Sequence, residues 1–179
     1  MNEIRGARRD ELETLREIER DAGRAFGAIG MPEIAADEPL SVTELERFVR
    51  AGHAWVAVDS SGHPVGYILS DVVDGYAHIE QVSVAPTYAR RGIGAALINY
   101  LDARAAAENR PGLTLTTFRD VPWNGPYYAR LGFAVLRPAD QGPELRARVE
   151  REARSIPSDA ARVAMRRPIG LSNYSRGRK

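Results

Sequence analysis

The chain has 179 residues, enough for one ordinary domain with a sizeable core, and its 44% hydrophobic and 27% charged content is that of a soluble globular protein. A formal net charge of +1 gives no case for a nucleic-acid binder, and the absence of cysteine excludes disulfides, thiolate metal sites and a cysteine acyl-enzyme. No apolar run is long enough to span a membrane and no signal-like segment opens the chain, so a cytoplasmic location is expected.

Residues 3–8 suit a short first strand. Asp10 and Glu13 form a capping pair, and Leu12, Leu15, Ile18, Ala22 and Phe26 then recur at helical spacing. Two glycines and a proline within 27–32 break that helix, and 30–40, rich in Pro, Ala and acidic groups, reads as a loop. Ser41 with Glu44 is a second capping box, starting a helix that ends near Gly52. Apolar runs at 55–58 and 65–69 flank a turn at 59–62, the pattern of a hairpin. Asp74-Gly75 then turns the chain into a longer strand, 76–84.

The spacing predicts a helix over 92–108, with Ile93, Ala96, Leu97, Tyr100 and Leu101 on one face. A strand at 113–118, a short helix at 123–131 and a strand at 133–137 follow. Residues 143–154 read as a helix charged on most faces, and 161–165 as a last strand. Arg166, Arg167, Arg176, Arg178 and Lys179 make the end locally basic, the mark of a solvated terminus. Hairpins followed by strand–helix–strand imply a mixed sheet covered by helices.

The most informative stretch is 82–97, VSVAPTYARRGIGAAL, a strand ending at a proline, an arginine- and glycine-rich turn, and a helix start. A helix start offers unpaired N–H groups and the positive end of its dipole. Gly92 and Gly94 let an anion approach that backbone, and the arginines add full charge. The turn is therefore either a phosphate cradle or a tight strand–helix connection. It lacks the Gly-Lys-Ser/Thr ending of a P-loop. It also lacks the third glycine and the later acidic residue of a dinucleotide fold.

The turn resembles the acetyl-CoA pyrophosphate loop of the GNAT superfamily of N-acetyltransferases, Gln/Arg-x-x-Gly-x-Gly/Ala. Residues 123–133, WNGPYYARLGF, resemble that superfamily's late Tyr-x-x-Leu-Gly-Phe element, in the expected order. The resemblance is close over residues 40–137. One departure is Ala89 at the first motif position, where backbone N–H contacts tolerate it and Arg90 and Arg91 supply charge.

The resemblance implies an α/β fold of α+β type. Its central sheet of six or seven strands is mixed and mostly antiparallel, flanked by helices, and splayed between the fourth and fifth strands, 76–84 and 113–118. It implies a single domain over 1–168 with a basic, flexible tail over 169–179. Acetyl-CoA is the implied co-substrate, with no metal. Its pantetheine arm would meet the backbone of Val82, Ser83 and Val84, and its pyrophosphate Ala89, Arg90, Arg91, Gly92, Ile93, Gly94 and Ala95. Asn124 would either bond the cofactor arm or cap the short helix.

Acetyl transfer to an amine of pKa about 10 requires a base to remove a proton before attack. His78 and Glu80 share one face of the strand 76–84, where a carboxylate and an imidazole are costly to bury without a task. Glu80 is the expected base, directly or through water, and His78 its substitute or partner; the alternative is an ion pair or hydrogen bond to a nearby arginine or tyrosine. The resemblance makes Tyr128, four residues before Gly132, the general acid for the departing thiolate, with Tyr127 its neighbour and competitor. Without cysteine, transfer is expected to be direct, in a complex of acetyl-CoA with a small-molecule or peptide amine. No nucleic-acid or membrane partner is expected, and a homodimer is left open. The reading from a different class is a non-catalytic acyl-CoA-binding sensor.

Overall fold

A computed structural model describes residues 2–154 and 161–170 of the chain. They fall into two compact units, Met1–Ser70 with Gln81–Tyr100, and Asp71–Glu80 with Leu101–Lys179.

In the first unit β1 (Glu3–Gly6) runs antiparallel to β2 (Ala54–Val58), which forms the expected hairpin with β3 (Pro64–Val73). The helices α1 (Leu12–Gly23) and α3 (Val42–Ala51) supply the rest of its core. Of the five residues expected at helical spacing, Leu12, Leu15 and Ile18 are buried with Leu45, Val56, Val58, Tyr67 and Leu69, whereas Ala22 is half-buried and Phe26, also half-buried, falls beyond the end of α1 in a 3-10 helix, Arg24–Ile29. Each buried aliphatic side chain contributes about 1.5–3 kcal/mol.

The box at α3 forms as read. Ser41 N–H donates to the Glu44 carboxylate at 2.9 Å, Glu44 N–H returns to Ser41 Oγ at 3.3 Å, and Gly52 (φ 72°) ends the helix. At α1 the expected pair gives way. A 3-10 turn, Arg9–Glu11, makes Glu11 the capping carboxylate, which accepts from Arg8 N–H at 2.9 Å and from Arg5 at 3.0 Å. Burial pushes the Glu11 carboxyl up, but the Arg5 and Arg8 bonds outweigh it and hold the group below its usual value. Glu13 is exposed and pairs with Arg16 at 3.1 Å. The expected loop over 30–40 contains a short helix, α2 (Pro32–Ala35), because a proline at the first helical position fixes φ and needs no donor.

In the second unit the first half of β4 (Tyr76–Val84) pairs in parallel with β5 (Gly112–Phe118), over residues 77–79 and 113–115. β5 lies antiparallel along its whole length to β7 (Arg162–Pro168), which also pairs with β6 (Ala134–Val135). The strand order is β1-β2-β3-β4-β5-β7-β6, the expected mixed sheet with its parallel step at β4–β5. The helices that follow β4 are α4 (Ile93–Ala107), α5 (Gly125–Arg130) and α6 (Pro143–Ala153). Leu145 of α6 is buried with Val73, Leu136 and Ala164, and Val149 packs against them. Among the described residues no helix is long and apolar enough to cross a membrane.

β7 runs to Pro168, so Arg166 and Arg167 belong to the sheet and not to a solvated end. Arg166 stands over the Tyr76 ring at 5.7 Å. Arg167 is 1% exposed; it donates to Asp102 on α4 and to the Leu131 carbonyl, each at 3.1 Å, and lies 5.1 Å over the Phe133 ring. A buried guanidinium demands such partners, and a strand-long sequence pattern does not announce them. Arg176, Arg178 and Lys179 lie outside the described residues.

Removing one member of a buried pair leaves an uncompensated charge. Asp102→Ala is expected to lose about 3–5 kcal/mol in urea unfolding, and the double replacement Asp102→Leu with Arg167→Met to recover most of it. A loss below about 1 kcal/mol for the single variant would mean the pair carries little of the fold.

Candidate active site

The candidate residues fall in two clusters, one in each unit. In the first, β4 ends at Val84, a 3-10 turn covers Pro86–Tyr88, and Ala89 N–H closes it on the Pro86 carbonyl at 3.1 Å. Ala89 is extended, Arg90 is left-handed at φ 60°, and Gly92 is left-handed at φ 79°. α4 starts at the next residue, and its first bond runs from Ala96 N–H to the Gly92 carbonyl at 2.9 Å. The N–H groups of Ile93, Gly94 and Ala95 precede that bond and have no acceptor within the helix. Around the spot where a Cβ on Gly92 would stand, no heavy atom lies within 4 Å. It is the backbone angle that requires glycine, and the open space leaves the helix end accessible to an anion. Arg91 is tied across the turn, donating to the Thr87 carbonyl at 3.0 Å and lying 5.1 Å over the Tyr88 ring. Arg90 is exposed.

The strand end before this turn is polar on one side. Gln81 Nε2 donates to Ser83 Oγ at 2.9 Å, and Ser83 is a partner of the buried Tyr67 hydroxyl, which donates to Glu19 of α1. Burial pushes both the Tyr67 phenol and the Glu19 carboxyl up. Val82 and Val84 are half-buried, and the Ser83 carbonyl stands so close to Gly66 that a Cβ there would lie 3.0 Å from it.

The second cluster lies on β4, β5 and the helices after them. His78 is 2% exposed, with Nδ1 at 2.9 Å from Thr114 Oγ1 on the paired strand. Burial, and then the charge of Arg148, lower its pKa to about 4 against the opposing pull of Asp71, so the ring is neutral at pH 7. Glu80 stands one residue past the parallel pair 79–115 and is half-buried. Its carboxylate accepts from Arg148 of α6, whose other amino group donates to Asp71 at 2.7 Å.

Tyr128 sits in α5 between two rings, 5.4 Å from Tyr127 and 5.8 Å from Phe133 between centroids. Burial, then the neighbouring Tyr127, push its phenol well above the usual range. The α5 turn is fixed by the Asn124 carbonyl, which accepts from Tyr128 N–H at 2.9 Å. The Asn124 side chain does not cap the helix; it donates to Thr117 Oγ1 at 2.9 Å. Gly125 is forced by its surroundings, since a Cβ there would stand 2.2 Å from the Arg119 carbonyl. Arg148, Asp71, Thr114 and Thr117 were not among the residues singled out by sequence. For Arg148 the available signal was the stripe Leu145, Arg148, Val149, Glu152 along α6.

The model of the acetyltransferase (GNAT) family matches residues 12–133. Among solved structures the chain is similar to the PaiA N-acetyltransferase of Thermoplasma acidophilum in complex with coenzyme A. That likeness has 17% identity and a TM-score of 0.71, over 94% of this chain and 99% of that one. It is similar to Chaetomium thermophilum Naa20 in complex with a bisubstrate analogue, at 20% identity and TM-score 0.68 over 95% and 88%. The ribosomal-protein-S18-alanine N-acetyltransferase of Escherichia coli matches at 18% identity and TM-score 0.65, over 98% of each chain. At these identities the structures speak for the fold, whereas the family match spans well over half of the sequence. The chain belongs to the acetyltransferase (GNAT) family.

Proposed function

We propose that this acetyltransferase moves an acetyl group from acetyl-CoA directly to a primary amine, with Glu80 as the base and Tyr128 as the donor to the leaving sulfur. The observation that carries the reading is the turn before α4. Left-handed Arg90 and Gly92 present the N–H groups of Ile93, Gly94 and Ala95 to an anion, with Arg90 and Arg91 beside them. That donor set fits a pyrophosphate: several backbone N–H groups, a helix dipole and two arginines, with no acidic residue from 85 to 101. Ala89, though not the usual Gln or Arg, offers its backbone, and Asn124 and the backbone of Val82, Ser83 and Val84 are the proposed contacts for the rest of the cofactor.

Acetyl-CoA, when bound, supplies the activated acyl group. Glu80 then takes a proton from the acceptor's ammonium, directly or through one water, freeing the lone pair that attacks the thioester carbon. A backbone N–H at the β4 end would stabilise the oxygen that gains charge. As the carbon–sulfur bond breaks, Tyr128 donates its proton to the sulfur, the attacking nitrogen gives up its second proton to water, and water returns a proton to the phenolate. Because burial holds its phenol above the usual range, it keeps its proton throughout the neutral region and is always a donor. His78 fits the base poorly: it is buried, bonded to Thr114, and protonates only near pH 4. The polar pair His78–Thr114 instead fixes the strand beside Glu80.

Two measurements test the reading. In Gly92→Val the branched residue cannot hold φ 79° without strain, so the N–H array is lost. Affinity for acetyl-CoA should fall at least about tenfold by calorimetry, about 1.4 kcal/mol. Unchanged affinity would refute the pyrophosphate assignment.

The second is steady-state thiol release over amines, polyamines, aminoglycosides and short peptides. Intersecting initial-rate lines are expected, and Glu80→Gln and Tyr128→Phe should each lower kcat about 100-fold or more with acetyl-CoA binding retained. A carboxylate base gives the rate an acidic limb, and Tyr128 should add no alkaline limb in the neutral range. A drop under about threefold in either variant would remove that residue from the chemistry. Tight acetyl-CoA binding with no turnover on any acceptor would favour a sensor.

A further inference from the structure

α6 (Pro143–Ala153) follows the segment matched by the family, which ends at residue 133, and yet reaches one of the proposed catalytic residues. It is fixed at three levels. At its N-terminus the Asp74 carboxylate accepts from Glu144 N–H at 3.1 Å and Leu145 N–H at 2.9 Å, while Glu144 accepts from Asp74 N–H at 2.6 Å. A Cβ at Gly142 would stand 2.3 Å from the Asp74 carboxyl carbon, so the Asp74 side chain would have to shift to admit one. Midway, Arg148 meets Asp71 and Glu80. One turn on, Glu152 accepts from Thr116 and from Arg162, each at 2.9 Å. Leu145 and Val149 fill the apolar stripe between them.

We infer that Arg148 is a positioning residue for Glu80, and that Asp71, by sharing its guanidinium, sets the charge Glu80 works with. The inference rests on Glu80 being the base. A guanidinium committed to one carboxylate would make a neutral pair with little pull on an ammonium and a poor proton acceptor. Here one cation serves two anions, so Asp71, Arg148 and Glu80 together carry one surplus negative charge. The other groups facing the cluster do not cancel it: His78 on β4 is neutral, Thr114 and Thr116 on β5 are uncharged, and Glu152 of α6 is balanced by Arg162 of β7. The planar fork also fixes where the Glu80 carboxylate points, a constraint a flexible lysine imposes less well. Arg148 thus aims the carboxylate, and Asp71 draws on the same guanidinium.

The test is the acidic limb of the pH–rate profile of kcat/KM in the full-length protein, with acetyl-CoA and an amine that the wild type accepts. Arg148→Gln removes the cation and leaves two carboxylates together, so the limb should move to higher pH by about one unit. Asp71→Asn frees Arg148 for Glu80 alone, so the limb should move to lower pH. Arg148→Lys should return the limb toward the wild-type position. In Arg148→Gln, kcat on the plateau should also fall about tenfold or more, with KM for acetyl-CoA within about twofold.

Glu152→Gln is the control for mere loosening of α6: it weakens the helix's last anchor without touching Glu80, and should lower Tm while leaving the limb in place. Limbs that move the same way in Arg148→Gln and Asp71→Asn, or do not move, would overturn the inference while the base assignment stood. A limb that survives in Glu80→Gln would overturn both. A limb displaced by Glu152→Gln as far as by Arg148→Gln would reduce Arg148 to a structural tie.

Discussion

A carboxylate placed mid-strand in a largely buried sheet must be compensated, and what compensates Glu80 shapes much of the second unit. Its neighbours along β4, Ala77, His78 and Ile79, are all buried, so the strand itself offers no counter-charge. The cation comes from Arg148, which requires α6 to lie where it does. That requires in turn the Asp74 cap and the Leu145–Val149 stripe. The same cation lowers the pKa of His78, helping to keep that ring neutral within the sheet. One charge requirement on β4 thus propagates into the placement of a helix nearly 70 residues later.

The unit holds a second Arg–Asp pair that shows what the first is not. Arg167 and Asp102 have side-chain exposures of 1% and 10%, and the arginine is further bonded to a backbone carbonyl. That pair is nearly sealed from water, with Asp102 also accepting from Gly170 N–H at 3.2 Å, and it lets a strand and a helix carry polar groups inward. Around Arg148 the side-chain exposures are 19%, with 45% for Asp71 and 30% for Glu80. Water reaches this cluster, and its two anions outnumber its cation. Solvent access and surplus negative charge both suit the proton exchange proposed for Glu80, and the sealed pair has neither.

What could be read from sequence was what is local. The Ser41–Glu44 box, the hairpin, the Asp74-Gly75 turn and the arginine–glycine turn before α4 each depend on residues a few positions apart. Their backbone geometry followed, down to the left-handed glycines at 52 and 92. The capping carboxylate of α1 was misplaced because a 3-10 turn shifts the helix start, which residue types alone do not encode. Arg166 and Arg167 read as solvent-facing because a buried arginine is recognisable only once Asp102, 65 residues earlier, is seen beside it. At the candidate site the residue types were legible and their electrical state was not. Glu80, His78 and Tyr128 could be picked out as chemistry-bearing, but the neutrality of His78 and the partner of Glu80 depend on burial and on contact across 68 residues.

The turn before α4 shows a different balance, between backbone strain and function. Gly92 adopts φ 79° without penalty, but Arg90 at φ 60° pays for a conformation that costs a non-glycine residue on the order of 1–3 kcal/mol. Arg90 is exposed, so burial of its side chain is not what repays this cost. Glycine would relieve the strain and lose a full positive charge at the mouth of a helix dipole. Arginine keeps that charge, and the αL angle turns the following N–H groups toward the space in front of the helix. For an isolated loop this is a cost in stability. On the proposed function a bound anion would offset it, because each charge-assisted hydrogen bond it accepts contributes about 1.5–3 kcal/mol.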